Sequence, residues 1–112
     1  GAELGGKVVG WAALSPVSSR CVYSGVAEVS VYVDPAAQGK GVGKALLDEL
    51  NRATEQAGYW TLQSGIFDNN TASIRLHEKC GYRTVGHRER IGKDKHGEWR
   101  NTVLMERRNS IE

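Results

Sequence analysis

Residues 26–47, VAEVSVYVDPAAQGKGVGKALL, constrain the fold more than any other stretch of the chain. Apolar and polar residues alternate in VAEVSVYV and predict a strand from Val26 to Val33, closed by the turn dipeptide Asp34-Pro35. Glycines then stand at positions 39, 41 and 43, and Val42, Leu46, Leu50, Ala53 and Ala57 recur at spacings of three and four. That spacing predicts a helix from Gly41 or Val42 through Ala57, stopped by Gly58. A strand turned into a helix through glycines brings bare main chain and the free N–H groups of a helix start to one point. Such a point suits a pyrophosphate. The plainer alternative is a glycine-softened turn with solvated Lys40 and Lys44.

The rest of the chain supplies partners for this unit. Lys7 to Leu14, rich in Val and Trp, reads as a strand, and Tyr59 to Phe67 as another. Asp68-Asn69-Asn70 caps a helix from about Thr71 to Cys80, ended by Gly81. Tyr82 to about Ile91 and about Glu98 to Arg107 read as two strands joined by a turn. The order β, β, α, β, α, β, β over residues 1–112 describes one α/β (α+β) domain.

Charge narrows the function. The net charge is only +2, and basic residues alternate with acidic ones in RERIGKDKHGEWR, which argues against a nucleic-acid partner. No run approaches a membrane span or a signal peptide, so the expected location is cytoplasmic. Cys21 and Cys80 read as reduced thiols, and His77 with Cys80 makes at most half of a metal site, so no metal is expected.

Two phosphate motifs fail on QGKGVG. In the mononucleotide loop Gly-Lys is followed by Ser or Thr, but Ala45 follows Lys44; the dinucleotide fingerprint needs a glycine where Lys44 stands. What remains is Gln38-x-x-Gly41-x-Gly43 between a strand and a helix. It resembles the acetyl-CoA pyrophosphate loop of the GNAT superfamily of N-acetyltransferases. Asn70 to Tyr82, NTASIRLHEKCGY, resembles the second half of the same cofactor site. With His77 in Leu-His-Glu, Glu28 upstream and Lys95-His-Gly-Glu-Trp99 downstream, the chain resembles the phosphinothricin acetyltransferase group.

The resemblance implies a mixed, mostly antiparallel sheet flanked by helices, with acetyl-CoA as cosubstrate. It implies coenzyme contacts from Tyr32, Val33, Gln38, Gly39, Lys40, Gly41, Val42, Gly43, Lys44, Asn70 and Ser73, and a bulge near the end of the Val26–Val33 strand. Asn70 and Ser73 equally suit a plain helix start. Glu28 and His77 are the implied catalytic pair. Alternation independently puts Glu28, Ser30 and Tyr32 on one face, where a carboxylate can take the proton of an attacking amine. Histidine can accept or donate near neutrality, its ordinary pKa being about 6.5. Tyr32 and Trp99 are the expected walls of the acceptor pocket.

The expected acceptor is a small amino-acid-like amine of the phosphinothricin or methionine sulfone type. A polyamine, a protein N-terminus, and a coenzyme-binding module with little turnover are the alternatives. Compared with the family, the chain starts in what would be the second strand and lacks the usual first strand and first two helices. An unpaired sheet edge is then expected, and with it self-association, most simply as a homodimer.

Overall fold

Alternation and helical spacing resolve, in the computed structural model, into one six-stranded sheet with two helices on one of its faces. The structure describes residues 2–4, 7–34, 37–39 and 41–110. Strands β1 (Ala2–Leu4), β2 (Lys7–Pro16) and β3 (Val26–Val33) lead into helix α1 (Val42–Gln56). Strand β4 (Thr61–Phe67), helix α2 (Thr71–Lys79), β5 (Arg83–Lys93) and β6 (Trp99–Arg108) follow, and a 3-10 turn at Cys21–Tyr23 sits between β2 and β3. The strand order is β1-β2-β3-β4-β6-β5, antiparallel at every pair except β3 with β4.

The parallel pair decides the geometry of the site. Pairing between β3 and β4 covers Val26↔Thr61, Ala27↔Leu62 and Glu28↔Gln63 and then stops. Beyond Glu28, β3 continues to Val33 on β2 alone, and β4 continues to Phe67 on β6 alone. The sheet therefore splits toward the carboxyl ends of the two strands. Main-chain groups on the facing sides of the split have no strand partner there.

Burial follows the pleat. Ala27, Val29, Leu62, Ile66, Val103 and Met105 point to the helix-bearing face and pack with Leu47, Cys80 and Tyr82 into the main core. Ala37, Val42 and Leu46 form a second cluster under the start of α1. The opposite face carries Trp11, Tyr32, Ala13, Ser30, Ser15 and Glu28, all exposed, and no helix among the described residues covers it. None of the described helices is long and apolar enough to cross a membrane.

Three expectations change. In α1 the inward stripe is Val42, Leu46, Leu47, Asn51 and Thr54, while Ala53 and Ala57 face solvent. Polar residues occupy the inner face because each has a partner: Asn51 bonds Tyr82 and Cys80, and Thr54 donates to the Asn51 carbonyl and accepts from Asn109. The β2 edge is partly covered, since Ala2–Leu4 pairs with Lys7–Gly10. Finally, β3 carries no bulge: its register with β2 runs unbroken from Ala27 to Val33.

Candidate active site

Glycine serves two different purposes in the loop between β3 and α1. Gly39 and Gly41 lie at φ 82° and 77°, the left-handed region that a side chain disfavours, and a Cβ built on either would meet nothing within 4 Å. Their front is open. Gly43 has an ordinary backbone, but its Cβ would stand 2.9 Å from Leu76 Cδ2 and 3.4 Å from Val33 Cγ2. It lets α1 approach α2 and β3 closely. Lys40 lies outside the described residues.

Gly41 is the N-cap of α1 and has no side chain to cap with. The first main-chain bond of the helix is Ala45 N–H to the Gly41 carbonyl, at 3.0 Å. The amides of Val42, Gly43 and Lys44 precede it and stand at the positive end of the helix dipole. Val42 itself is buried, so its contribution to a ligand is its amide. Gln38 Nε2 donates to the Val33 carbonyl at 3.4 Å, which ties the loop to the end of β3. Lys44 is held by Asp48 at 2.6 Å, and this bond raises the Lys44 pKa and lowers that of Asp48. An open amide nest at the mouth of a split sheet fits a diphosphate, and the split itself offers main-chain donors and acceptors to an extended, amide-bearing chain.

The second half of the site is α2. Asn70 Oδ1 accepts from the Ser73 N–H at 3.2 Å, so Asn70 caps its own helix, the plainer of its two expected roles. One turn on, His77 is 2% exposed, with Nδ1 2.7 Å from the Ser73 carbonyl. A carbonyl only accepts, so Nδ1 carries the proton and Nε2 of the neutral ring is a lone pair. That Nε2 is buried without a hydrogen-bond partner. Burial lowers the His77 pKa, and the bond to the Ser73 carbonyl opposes this in part.

Glu28 and His77 come from opposite sides of the sheet. Glu28 is exposed on the uncovered face at the last paired position before the split, and His77 is buried on the helix side. The split is where a single extended ligand meets both faces. Tyr32 lies on the Glu28 face at the open end of β3, and Trp99, the other expected wall of the acceptor pocket, lies in a different element. Tyr32 stacks on Trp11, with centroids 6.0 Å apart and an interplanar angle of 23°. Trp99 instead lies in the β5–β6 hairpin under Arg90 and Lys93. Trp11, a neighbour of Tyr32 that the sequence reading did not single out, is set opposite it by the register of β2 on β3, which no local pattern in β2 reveals.

Other concavities lie elsewhere. A cleft of about 420 Å³ among Asp48, Asn51, Arg52, Glu55, Lys79, Cys80, Gly81 and Arg107 sits between the carboxyl-terminal halves of the helices. Of its three cations, Arg107 is spent internally on Glu55, Asn109 and the Cys80 carbonyl. Among the described residues no three His, Cys, Asp or Glu side chains group to hold a metal.

The Acetyltransferase (GNAT) family profile matches residues 1–82, a span that includes the split, the glycine loop and α2. Phosphinothricin N-acetyltransferase of Alcaligenes faecalis is 39% identical over 107 residues, covering 95% of this chain and 54% of that protein. The L-methionine sulfoximine/L-methionine sulfone acetyltransferase of Salmonella typhimurium is 36% identical over 104 residues, covering 93% of this chain and 60% of that protein. A GNAT superfamily phosphinothricin acetyltransferase from Sinorhizobium meliloti, solved in complex with acetyl-CoA, superposes with a TM-score of 0.85 at 36% identity. The match covers 93% of this chain and 56% of that structure. The chain thus spans little more than half the length of these relatives.

Proposed function

The chain belongs to the acetyltransferase (GNAT) family, and from that premise we propose that it transfers acetyl from acetyl-CoA to the amino group of a small amino-acid-like acceptor, of the phosphinothricin or methionine sulfone type. The carrying observation is the uncapped α1 start behind Gly39 and Gly41, open at the mouth of the split between β3 and β4. The amides of Gly41 to Lys44, with Gln38, Asn70 and Ser73, would hold the pyrophosphate of the coenzyme, and the split would take its extended arm between Glu28 and His77.

In this reading Glu28 takes a proton from the acceptor ammonium, directly or through a water, and frees the nitrogen lone pair. The amine attacks the thioester carbon, and a β3 amide at Tyr32 or Val33 supports the oxyanion. His77 stands on the helix side toward the departing sulfur. Trp11 and Tyr32, each nearly half exposed at 46% and 47%, wall the acceptor on the uncovered face. Self-association as a homodimer is read from the sheet edge, which ends in the three-residue β1 beside β2. The names of the relatives from Alcaligenes faecalis and Salmonella typhimurium support the acceptor class.

Titration calorimetry of the chain with acetyl-CoA, against Gly41→Glu, tests the cradle. We expect micromolar binding that Gly41→Glu abolishes in a chain still folded by circular dichroism, though about 1–2 kcal/mol less stable for a side chain in the left-handed region. Thiol release with phosphinothricin and methionine sulfone then tests transfer, with Glu28→Gln expected to slow turnover by about 10²–10⁴. Binding without thiol release would leave a coenzyme-binding module. No binding by the folded chain would remove the reading.

A further inference from the structure

Every described glycine but one has a reason within the fold. Five lie at positive φ, and at Gly10, Gly25 and Gly43 a Cβ would stand less than 3.0 Å from a neighbouring atom. Gly86 and Gly92 each flank a break in the register of β5 on β6. Gly65 has none of these reasons. It lies inside β4, whose register on β6 runs unbroken from Thr61 to Phe67, and a Cβ built on it would meet nothing within 4 Å. A glycine inside a strand gives up stability and packing, and where neither bulge nor bend explains it, it marks a close approach to the main chain.

What approaches Gly65 follows from its place. Leu62, Ser64 and Ile66 are buried on the helix side, so Gln63, Gly65 and Phe67 face the uncovered side with Glu28. Gln63 is paired with Glu28 at the last step before the split, which makes Gly65 the first outward position of β4 beyond it. Across β6, Leu104 stands directly opposite Gly65, about 4.8 Å away from strand to strand. The Phe67 ring leans the other way, toward the β5–β6 hairpin, where its Cε1 lies 3.8 Å from a Cβ built on Gly92. The absent side chain thus leaves a slot one residue wide. It runs from the split beside Glu28, over bare main chain, to an apolar end at Leu104.

We propose that this slot takes the side chain of the acceptor, and that Gly65 and Leu104 are specificity-determining residues that select an unbranched stem. This deepens the acetyltransferase reading above and rests on it. With the amine beside Glu28 and the thioester in the split, the α-carbon of the acceptor stands at the mouth of the slot. A straight stem lies over Gly65 and buries its methylenes against Leu104, each worth roughly fourfold in kcat/KM. A stem branched at its first carbon is too wide between Gln63 and Phe67.

Thiol release with methionine sulfone and with alanine tests this as a ratio of kcat/KM. Gly65→Val fills the slot and is expected to lower that ratio about tenfold, the worth of two methylenes, with the acetyl-CoA dissociation constant unchanged. Gly65→Ala is expected to fall between Val and the wild type. Because valine suits a strand better than glycine, the thermal midpoint of Gly65→Val should equal or exceed that of the wild type. Leu104→Ala lengthens the slot and should favour an acceptor one methylene longer than methionine sulfone by about fourfold. An unmoved acceptor ratio in Gly65→Val overturns the proposal, and a lowered midpoint with that ratio unmoved makes Gly65 structural. No gain for the longer acceptor in Leu104→Ala overturns Leu104 as the end of the slot. Should Gly65→Val not fold, Gly65→Ala decides by the same ratio. Where alanine is not turned over, the KM of methionine sulfone carries the test: it should rise in Gly65→Val at constant kcat, and a fall in kcat at constant KM overturns the slot. A wild-type chain that binds no acetyl-CoA, or binds it and acetylates no amine, overturns the transfer reading and the slot with it. Transfer by the wild type and by Gly65→Val with the same preference overturns this inference alone.

Discussion

The N-termini of α1 and α2 follow the carboxyl ends of the parallel strands β3 and β4, and they are finished in opposite ways. At α2, Asn70 Oδ1 takes the Ser73 N–H, as a helix does when its own sequence must satisfy its first turn. At α1, Gly41 supplies no cap, and the first turn is held instead by Val42 and Leu46 in the small cluster with Ala37. Glycine at an N-cap gives up only about a few tenths of a kcal/mol against Asn, so α1 forgoes a small stabilisation that α2 keeps. The difference separates a helix start that supports structure from one left open to an anion. A diphosphate on α1 would supply the acceptors that Gly41 does not.

Gly43 gives the largest expected effect on stability, because it is the point where the start of α1 touches the body of α2 and the end of β3. Gly43→Val should destabilise the fold by about 1–3 kcal/mol in urea denaturation, since its branches meet Leu76 and Val33. Gly43→Ala should be nearly neutral. Its gain in helix propensity, about 1 kcal/mol, is set against a displacement at the tip of Leu76. Equal costs for Val and Ala would mean that packing does not select glycine at this position.

Further along α2, His77 makes stability depend on pH. Burial puts its folded pKa below the unfolded value of about 6.5, so the unfolded chain binds more protons in the acid range. Stability is therefore full above about pH 6.5 and falls as the pH drops below it, by at most about 1.4 kcal/mol per pH unit for one proton. His77→Phe should flatten the slope of stability against pH between pH 6.5 and 5. Asp94, held to about 2 first by the side-chain bond from Arg100, titrates too low to contribute there. An unchanged slope in His77→Phe would place the responsible proton elsewhere.

Asn70→Ala should cost about 1 kcal/mol of stability and change acetyl-CoA affinity by less than threefold. Gly41→Glu should cost about as much, for a side chain in the left-handed region, but remove binding outright. If Asn70→Ala instead weakened binding tenfold at unchanged stability, the contrast between the two helix starts would be wrong, and Asn70 would be a ligand residue first.

Regularity decided how much of this was legible. The β3 alternation was readable because one face of that strand is buried and the other exposed, so period two survives in VAEVSVYV. The first two turns of α1 were readable for a similar reason. The second half was not, because Asn51 and Thr54 occupy the inner face and a search for apolar spacing passes over them to Ala53 and Ala57. Their suitability depends on Tyr82 and Asn109, 31 and 55 residues away. Such long-range pairing leaves no local pattern. Trp11 was overlooked for a different reason: its stacking on Tyr32 is fixed by a strand register, which the composition of KVVGWAAL does not reveal. At the glycines, the sequence marked the place and the structure divided the roles, two for an open front and one for close packing.

Lys44 gives the smallest expected effect and the sharpest test of the open helix start. The resemblance implies a coenzyme contact from Lys44, and in the structure its ammonium lies 2.6 Å from Asp48, four residues along the same helix. An exposed pair of this kind adds little to stability and is weakened by salt. Lys44→Met should therefore leave the unfolding midpoint unchanged. A pyrophosphate on the α1 amides would compete with Asp48 for the same charge. On that account Lys44→Met should weaken acetyl-CoA binding by about two- to threefold at low salt, and Asp48→Asn should strengthen it by a similar factor, as expected for one screened surface interaction of a few tenths of a kcal/mol. Both effects should fade together as salt is raised. Opposite signs in the two variants would mean that Asp48 holds Lys44 away from the ligand; no change in either would mean that the amides of Gly41 to Lys44 bind the phosphates without the side chain.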